Sequence, residues 1–363
     1  MKESIQQLKP YIPEEPISRL KERLGLTHLV RLSANENPYG TSPKVKKAVM
    51  EYVEAHDSSQ YPDGYSTSLR KAIADFIKVP DESLVIGVGL DEVITLLSRA
   101  FLTAGDSIVI STPTFSEYAL NGQLEGAKIK GVPCNAMTGA TDLDGMVAAI
   151  DETTKLVWLC NPNNPTGTYV SVEAIRAFMK RVPRDILVLI DEAYIEFVTS
   201  CDRTSALPLL AEFSNIGIMR TFSKAYGLAN YRVGYLVIGD DWVNYVQTIR
   251  LPYNLNSLSQ VAAQVALEDQ EFIRYVVTAN AVARDSWEVC LNQWGLHYYK
   301  SEANFLFVEF NSPEEAKAVA DIWLRAGYQV RVGLAPHWLR ITIGQAKDCE
   351  RMQQILGDYL NGR

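Results

Sequence analysis

The sequence has few residues of the kinds that build metal sites or disulfide frameworks. Its five cysteines are widely spaced, and its four histidines show no spacing typical of metal ligands. An odd number of scattered cysteines, with no pair separated by two residues, argues against a disulfide framework and against a zinc cluster. We therefore expect neither disulfides nor a metal.

An excess of positive charge is also missing. Lys and Arg number 35 against 43 Asp and Glu, so the formal net charge is −8. Nucleic acids and anionic membranes both select clustered Lys and Arg, so we expect neither as a partner. No apolar run approaches the roughly 20 residues of a membrane span, and prolines and charges interrupt the N-terminal segment. These absences predict a cytoplasmic protein that binds any anion locally.

The pattern of apolar residues predicts the fold class. Short β-rich runs alternate with helical stretches from residue 43 onward, at residues 84–86, 107–110, 155–159, 186–190 and 216–219. This alternation predicts an α/β fold whose large, mostly parallel sheet is flanked by helices. Beyond residue 252 the pattern changes. A helical stretch over 259–292, with strands over 304–310 and 339–343, predicts a smaller α+β domain.

Polar side chains follow the apolar run that ends at residue 219. Thr221 and Ser223 supply hydroxyls, Lys224 an amine and Arg232 a guanidinium. Open α/β sheets bind ligands at the carboxyl ends of their strands, where these groups would emerge together. They could surround a dianionic phosphate and leave the Lys224 amine free to form an imine with an aldehyde.

A second phosphate-binding turn is predicted at residues 87–92, between a strand and a helix. The free N–H groups at such a helix start suit a phosphate. A dinucleotide-binding fold is the competing interpretation, but Glu92 stands where the third glycine of its motif would be. We therefore disfavour a dehydrogenase.

Two further strand ends carry polar segments. Residues 161–167 form a turn rich in Asn and Pro, and Asp191 ends the run 186–190. A carboxylate at a buried strand end is costly unless it meets a cation. In this order along the chain, the segments resemble those of fold type I aminotransferases, which depend on pyridoxal phosphate.

The resemblance implies a role for each segment. Lys224, Asp191 and Tyr194 would be catalytic. Asp191 would face the pyridine nitrogen, while Asn164 and Tyr194 would share the phenolic oxygen. Phe115 would stack on the cofactor ring. The implied cofactor-binding residues are Tyr61, Gly89, Leu90, Asp91, Phe115, Asn164, Asp191, Tyr194, Thr221, Ser223, Lys224 and Arg232. Leu90 replaces a small or hydroxyl residue of the family, so only backbone contact is expected there.

The resemblance also implies an assembly and a domain division. Tyr61 lies in a segment that crosses the dimer interface in this superfamily, which implies a homodimer with shared active sites. The expected division is an N-terminal arm over residues 1–30, packed with the small domain, a large cofactor-binding domain over 31–252 and a small domain over 253–363.

Four segments resemble histidinol-phosphate aminotransferases in particular: residues 8–11, 34–38, 253–257 and 301–305. That family exchanges an amino group between L-glutamate and imidazole acetol phosphate, which yields L-histidinol phosphate and 2-oxoglutarate. Arg340 stands on an otherwise apolar strand, where a guanidinium needs an anion. Arg340 and Arg331 are the candidates for binding the substrate anion, with Tyr11 and Asn35 as further donors.

The sequence pattern is also compatible with other functions. Threonine-phosphate decarboxylases share much of the pattern, and an aromatic aminotransferase of the same superfamily is another reading. A pyridoxal-phosphate-binding regulator without turnover is a remote one, because all the catalytic positions are present and no DNA-binding module is attached.

Overall fold

A computed structural model of the chain describes residues 3–6, 8, 14–200 and 205–362, with the backbone alone for residues 3, 4 and 240. Its strands are β1 (Val30–Leu32), β2 (Leu84–Val88), β3 (Ser107–Thr112), β4 (Lys128–Pro133), β5 (Thr154–Cys160), β6 (Leu187–Asp191), β7 (Ile216–Thr221), β8 (Val233–Ile238), β9 (Phe305–Glu309), β10 (Tyr328–Ala335) and β11 (Trp338–Thr342).

The helices lie between these strands and after them. They are α1 (Glu3–Gln6), α2 (Ile17–Leu24), α3 (Pro43–Ala55), α4 (Thr67–Ile77), α5 (Gly89–Phe101), α6 (Ser116–Leu124), α7 (Leu143–Ala148), α8 (Val172–Met179), α9 (Asp240–Ile249), α10 (Ser257–Glu268), α11 (Gln270–Gln293), α12 (Pro313–Arg325) and α13 (Ala346–Asn361). Short 3-10 turns cover Asp81–Ser83, Ile195–Phe197, Leu207–Ala211 and Ala229–Tyr231. Within the described ranges, no helix combines the length and apolar character needed to cross a membrane.

The large sheet has the strand order β2-β8-β7-β6-β5-β3-β4. β8 runs antiparallel to both of its neighbours, and the other pairs are parallel. The predicted α/β fold and mostly parallel sheet are therefore confirmed, although the sequence patterns do not predict β4 or β8. Because the carboxyl ends of β3, β5, β6 and β7 lie along one edge, the polar segments that follow them converge.

Both faces of the large sheet are buried. In β3, Ile108 and Ile110 belong to a core with residues of α5 and α6, whereas Val109 belongs to a core with residues of α8. This division follows from the alternation of side chains along a strand. It explains why the central strands read as continuous apolar runs and not as alternating patterns.

The predicted helical stretch over 259–292 is divided into α10 and α11. The backbone of Asp269, between them, has φ −88° and ψ 61°, which is not helical. Its carboxylate accepts hydrogen bonds from Ser42 Oγ at 2.5 Å and from Lys44 Nζ at 2.6 Å. These contacts hold the break against the start of α3, where Ser42 also caps that helix.

A second sheet, of order β1-β10-β11-β9, packs against α11, α12 and α13. Its strands β9 and β11 match the two strands predicted in this part of the chain. β1, at the end of the N-terminal segment, joins this sheet by pairing parallel with β10. Leu255 and Ala262 share a core with Val45 and Leu69 of α3 and α4. The division at residues 30 and 252 stays a prediction.

Candidate active site

A cavity of about 450 Å³ lies at the carboxyl edge of the large sheet. It also receives a loop that follows β1 and a side chain from β11. The predicted residues that line it are Asn35, Leu90, Asp91, Phe115, Asn164, Asp191, Tyr194, Thr221, Ser223, Lys224, Arg232 and Arg340. The two sheets thus bring together predicted residues that are up to 305 positions apart, as the positions 35 and 340 show.

Lys224 follows the end of β7 by three residues. Its Nζ donates a hydrogen bond to the backbone carbonyl of Ala34 at 3.1 Å and lies 5.7 Å from the centre of the Tyr194 ring. Burial, followed by the positive charge of Arg340, lowers the pKa of Lys224 to about 8. A substantial fraction of this amine is therefore neutral near pH 7 to 8, as a nucleophile or a proton acceptor requires.

Asp191 is buried at the end of β6, with 3% of its surface exposed. Its Oδ2 accepts a hydrogen bond from the Tyr118 hydroxyl at 2.6 Å, and its Oδ1 accepts one from the Ala193 amide at 3.0 Å. Among the described residues it pairs with no cation. Burial raises the pKa of Asp191 to about 6, although the Tyr118 hydrogen bond opposes this rise.

Tyr118 was not predicted as part of the site. It is fully buried on α6 and stacks on Trp158, with ring centres 4.9 Å apart. Its ring also meets Phe115 edge to face at 5.7 Å. The available signal was its spacing: three residues after Phe115, it lies on the same side of the helix start. Other residues that line the cavity without a prediction are Ala34, Glu36, Cys160, Ala193 and Ala229.

A group suited to a phosphate surrounds the start of α5. Gly89 has φ +73°, and a Cβ there would lie 2.5 Å from Arg232 Nη2, so glycine lets the helix start approach the guanidinium. Arg232 Nη2 donates to Asp91 at 2.9 Å. The hydroxyls of Thr221 and Ser223 are 3.1 Å apart. The free amides of the first helical turn and the guanidinium supply the positive field that an anion needs.

Arg340 links the two sheets. Its Nη1 donates to Asn164 Oδ1 at 2.6 Å and its Nη2 donates to the Ser33 carbonyl at 2.5 Å. Since Oδ1 of Asn164 accepts this bond, its amide nitrogen is left to donate elsewhere. Among the described residues, Arg340 pairs with no carboxylate, and its buried Nε has no hydrogen-bond partner. A buried guanidinium in this condition is a site for an anion.

Asn35 lies between Tyr194 and the small sheet. Its Nδ2 donates to the Tyr194 hydroxyl oxygen at 3.1 Å, and its Oδ1 accepts from the Thr342 hydroxyl at 3.0 Å. The Tyr194 hydroxyl is thereby held in place at the cavity wall. Asn35, predicted as a substrate contact, lines the cavity and bonds Tyr194 there.

Four predicted residues are placed differently from the rest. Gly89 does not line the cavity but lies against the Arg232 guanidinium, which does. Arg331 lines an adjoining cavity, to which Arg340 also contributes. Tyr61 is 82% exposed and stacks on Tyr253 at 4.8 Å, away from the cavity of its own chain. Tyr11 lies outside the described residues.

These side chains fit pyridoxal phosphate. The carboxylate of Asp191, without a cation, suits a protonated pyridine nitrogen. The amine of Lys224 suits the aldehyde, and the α5 start with Arg232 suits the phosphate. Among the described residues no three His, Cys, Asp or Glu side chains are grouped as metal ligands. An α/β fold with this set of groups in one cavity defines a pyridoxal-phosphate-dependent enzyme.

Comparisons with known proteins specify the family. Residues 27–356 match the model of the family described as aminotransferase class I and II. The chain belongs to this family. It is 48% identical over 360 residues to a histidinol-phosphate aminotransferase of Limosilactobacillus fermentum and 47% identical over 359 residues to one of Lactiplantibacillus plantarum. Each alignment covers 99% of both chains.

A solved structure gives the same result. The crystal structure of histidinol-phosphate aminotransferase from Sinorhizobium meliloti, in complex with pyridoxal 5'-phosphate, superposes with a TM-score of 0.89 at 27% identity. The match covers 100% of this chain and 98% of that one. The resemblance inferred from the sequence and the dependence on pyridoxal phosphate are confirmed.

The buried state of Asp191 leads to a prediction for the cofactor-free protein. When folding raises the pKa of a carboxyl group, the protein loses stability as the pH rises from about 4 to about 6. At pH 7.5 the folded protein therefore carries the full free-energy cost of the buried carboxylate. We expect Asp191→Asn to remove that cost, up to about 3 kcal/mol, and to raise the melting temperature of the cofactor-free protein at pH 7.5. The gain should shrink toward pH 5.

Thermal melts of the cofactor-free variant from pH 5 to 8 check this expectation, together with its affinity for pyridoxal phosphate. The affinity should fall, since a neutral amide cannot pair with a protonated pyridine nitrogen. Asp185→Asn is the matched control, because Asp185 is exposed. A variant that melts lower than the wild type at pH 7.5 and binds the cofactor equally well would contradict the assignment.

Proposed function

We propose that this chain catalyses the transfer of an amino group from L-histidinol phosphate to 2-oxoglutarate, which yields imidazole acetol phosphate and L-glutamate. The reaction belongs to histidine biosynthesis. Relatives of that name, aligned over nearly the whole chain, support this substrate pair. The observation that carries the proposal is the Arg340 guanidinium, 7% exposed and bonded only to neutral groups of the described chain.

Each cavity residue has a proposed role toward the cofactor. Asp191 binds the pyridine nitrogen, and Asn164 and Tyr194 donate to the phenolic oxygen. Phe115 packs on the ring. Phosphate binding falls to the backbone of Gly89, Leu90 and Asp91, to the hydroxyls of Thr221 and Ser223, and to Arg232. When bound, pyridoxal phosphate supplies an electron sink that makes the proton on the substrate carbon next to the amine acidic.

Lys224 moves the proton. Its Nζ accepts the proton from the substrate carbon that carries the amino group and later returns it. A lysine with a pKa of about 8 can do both near neutral pH, because neither of its forms is scarce. The Ala34 carbonyl, 3.1 Å away, orients the amine.

Arg340 recognises the substrate anion. L-Histidinol phosphate has a phosphate and no α-carboxylate, whereas L-glutamate has carboxylates and no phosphate. Because the two amino-transfer steps use the site in turn, Arg340 can bind the carboxylate in one step and the phosphate in the other. Arg331, paired with Arg340 across β10 and β11, is a second donor for the larger anion.

Substrate preference tests this proposal against the related activities. The purified, cofactor-loaded enzyme should convert L-histidinol phosphate with 2-oxoglutarate at a far higher kcat/KM than L-phenylalanine. It should release no CO₂ from L-threonine phosphate. A preference for L-phenylalanine would indicate an aromatic aminotransferase, and CO₂ release would indicate a decarboxylase.

The division of roles between the two arginines gives a prediction for each half-reaction. A charge-assisted hydrogen bond is worth about 1.5–3 kcal/mol, so Arg340→Ala should lower kcat/KM roughly ten- to a hundredfold with both L-glutamate and L-histidinol phosphate. Arg331→Ala should lower it mainly with L-histidinol phosphate. Single-turnover absorbance changes with each amine alone measure the two effects separately.

Arg325→Ala is the control for these variants, since Arg325 is exposed at the end of α12. It should leave both half-reactions unchanged. Equal losses with the two amines in Arg331→Ala would show that this arginine does not discriminate between the anions.

A homodimer with shared sites is also proposed. Tyr61 lies away from the cavity of its own chain and is 82% exposed, which supports a role in the site of a partner subunit. The exposed side chains of Tyr65 and Leu251 are further apolar surface for a subunit contact. The expected location, the cytoplasm, remains a prediction.

Subunit mixing tests the shared site. If Tyr61 serves the neighbouring cofactor, Tyr61→Ala and Lys224→Ala subunits are both nearly inactive alone, and a mixed dimer regains one intact site. After random exchange of equal amounts we expect roughly a quarter of the wild-type activity. Lys224→Ala subunits exchanged among themselves are the control. Proven exchange without recovery, or full activity of Tyr61→Ala alone, would exclude the shared site.

A further inference from the structure

Glu14 forms an ion pair with Arg331, one of the two arginines proposed to bind the substrate anion. Glu14 accepts a hydrogen bond from Arg331 Nη1 at 3.2 Å through Oε1, and one from the Ser33 hydroxyl at 2.7 Å through Oε2. Both carboxylate oxygens are engaged. The side chains of Glu14 and Arg331 expose 21% and 34% of their surfaces, so the pair is only partly screened by solvent.

This pair lies in a cavity of about 690 Å³ that adjoins the cofactor cavity. The two cavities share Phe115, Asn164 and Arg340. The adjoining cavity is therefore continuous with the space where the substrate's reacting end must lie. An anion at the far end of a bound substrate would enter here.

The two arginines and Glu14 act as one electrostatic group. Arg331 is the register partner of Arg340 across the two strands, and Ser33 bonds Glu14 with its hydroxyl and Arg340 with its carbonyl. The pKa of Arg340 is lowered to about 10, mainly by burial; Arg331 adds to this lowering, whereas Tyr194 and Glu14 oppose it. Glu14 thus cancels part of the positive charge that would attract a phosphate.

We propose that Glu14 is a specificity-determining residue. Its carboxylate occupies the position beside Arg331 and Ser33 that the phosphate of the substrate takes on binding. The inference rests on the proposed function and concerns the same site. A carboxylate and a phosphate use the same donors, so the incoming phosphate must displace Glu14 from Arg331. The affinity for the phosphate is lowered by the fraction of molecules in which Glu14 occupies that position.

The effect is selective because Glu14 is hydrogen-bonded to Arg331 and not to Arg340. Arg340 pairs with no carboxylate among the described residues, so an anion that needs only Arg340 does not have to displace Glu14. A phosphate that contacts both arginines does. Glu14 therefore sets the relative affinity of the enzyme for its phosphate-bearing and its carboxylate-bearing substrates.

Titration of the cofactor-loaded enzyme with inorganic phosphate tests the inference by calorimetry. Glu14→Gln keeps the size of the side chain and removes its charge. We expect the variant to bind phosphate roughly two- to fivefold more tightly than the wild type, the range of a partly exposed ion pair. The KM for L-histidinol phosphate should fall in parallel, and the KM for 2-oxoglutarate should change less.

Two variants serve as controls. Glu15→Gln makes the same change in charge at the next position, where Glu15 pairs with Arg23 on the exposed side of α2. It should bind phosphate like the wild type. Glu14→Asp keeps the charge and should show no tighter binding. If folded Glu14→Gln binds phosphate no more tightly than the wild type, or if Glu15→Gln tightens it equally, the inference is wrong.

The phosphate titration is independent of the proposed function, because it requires no turnover of L-histidinol phosphate. An enzyme that does not use this substrate, but whose phosphate affinity rises in Glu14→Gln, would overturn the proposed substrate and retain the role of Glu14 at the anion site. An enzyme that uses L-histidinol phosphate, but whose phosphate affinity is unchanged in Glu14→Gln, would support the proposed substrate and overturn the role of Glu14.

Discussion

Asp191 carries a carboxylate into the interior at the end of a strand of the large sheet, where Tyr118 and a backbone amide are its hydrogen-bond donors and no described cation accompanies it. Such burial disfavours the ionised form, as the raised pKa of this group reflects. In the proposed complex with pyridoxal phosphate, the cationic ring nitrogen offsets this cost. The geometry around Asp191 follows from this need: β6 delivers the carboxylate, α6 holds Tyr118 against it, and Trp158 fixes the tyrosine ring.

The loop after β1 and the side chain of Arg340 connect this site to the second sheet. Arg340 contacts Asn164, which follows β5 of the large sheet, while Asn35 lies between Tyr194 and Thr342. The groups proposed to hold the phenolic oxygen of the cofactor are thus bonded to the groups proposed to hold the substrate. An anion at Arg340 would therefore act on the amide that orients the cofactor. The proposed roles therefore couple substrate recognition and cofactor orientation through one guanidinium.

The electrostatics of the site are local. A chain with net charge −8 places Lys224, Arg232, Arg331 and Arg340 around neighbouring cavities. Acidic side chains accompany the more exposed of these cations: Asp91 pairs with Arg232 and Glu14 with Arg331. Lys224 and Arg340, the two that lie deepest, have lowered pKa values because burial opposes their charge. Among the described residues, these two cations have no acidic partner, and to them we assign the proton transfer and the binding of the anion of either substrate.

Much of this protein can be read from the order of its residues. Apolar runs bounded by polar turns are local features, so the alternation that predicts the α/β sheet, and the polar segments at four strand ends, are visible without coordinates. The resemblance of those segments to a family named the cofactor and the lysine. What depends on contacts between distant positions was decided by the tertiary structure alone.

The direction of β8, the break at Asp269, the hydrogen bond from Tyr118 to Asp191 and the pairing of Glu14 with Arg331 are of that second kind. The contacts of the Asp269 carboxylate with Ser42 and Lys44, more than 220 residues away along the chain, have no local signal. Glu14 and Arg331 are separated by 317 positions. Periodicity reports which face of an element is buried, but the partner of a buried or paired polar group is set by how the elements pack, and that information exists only in the folded chain.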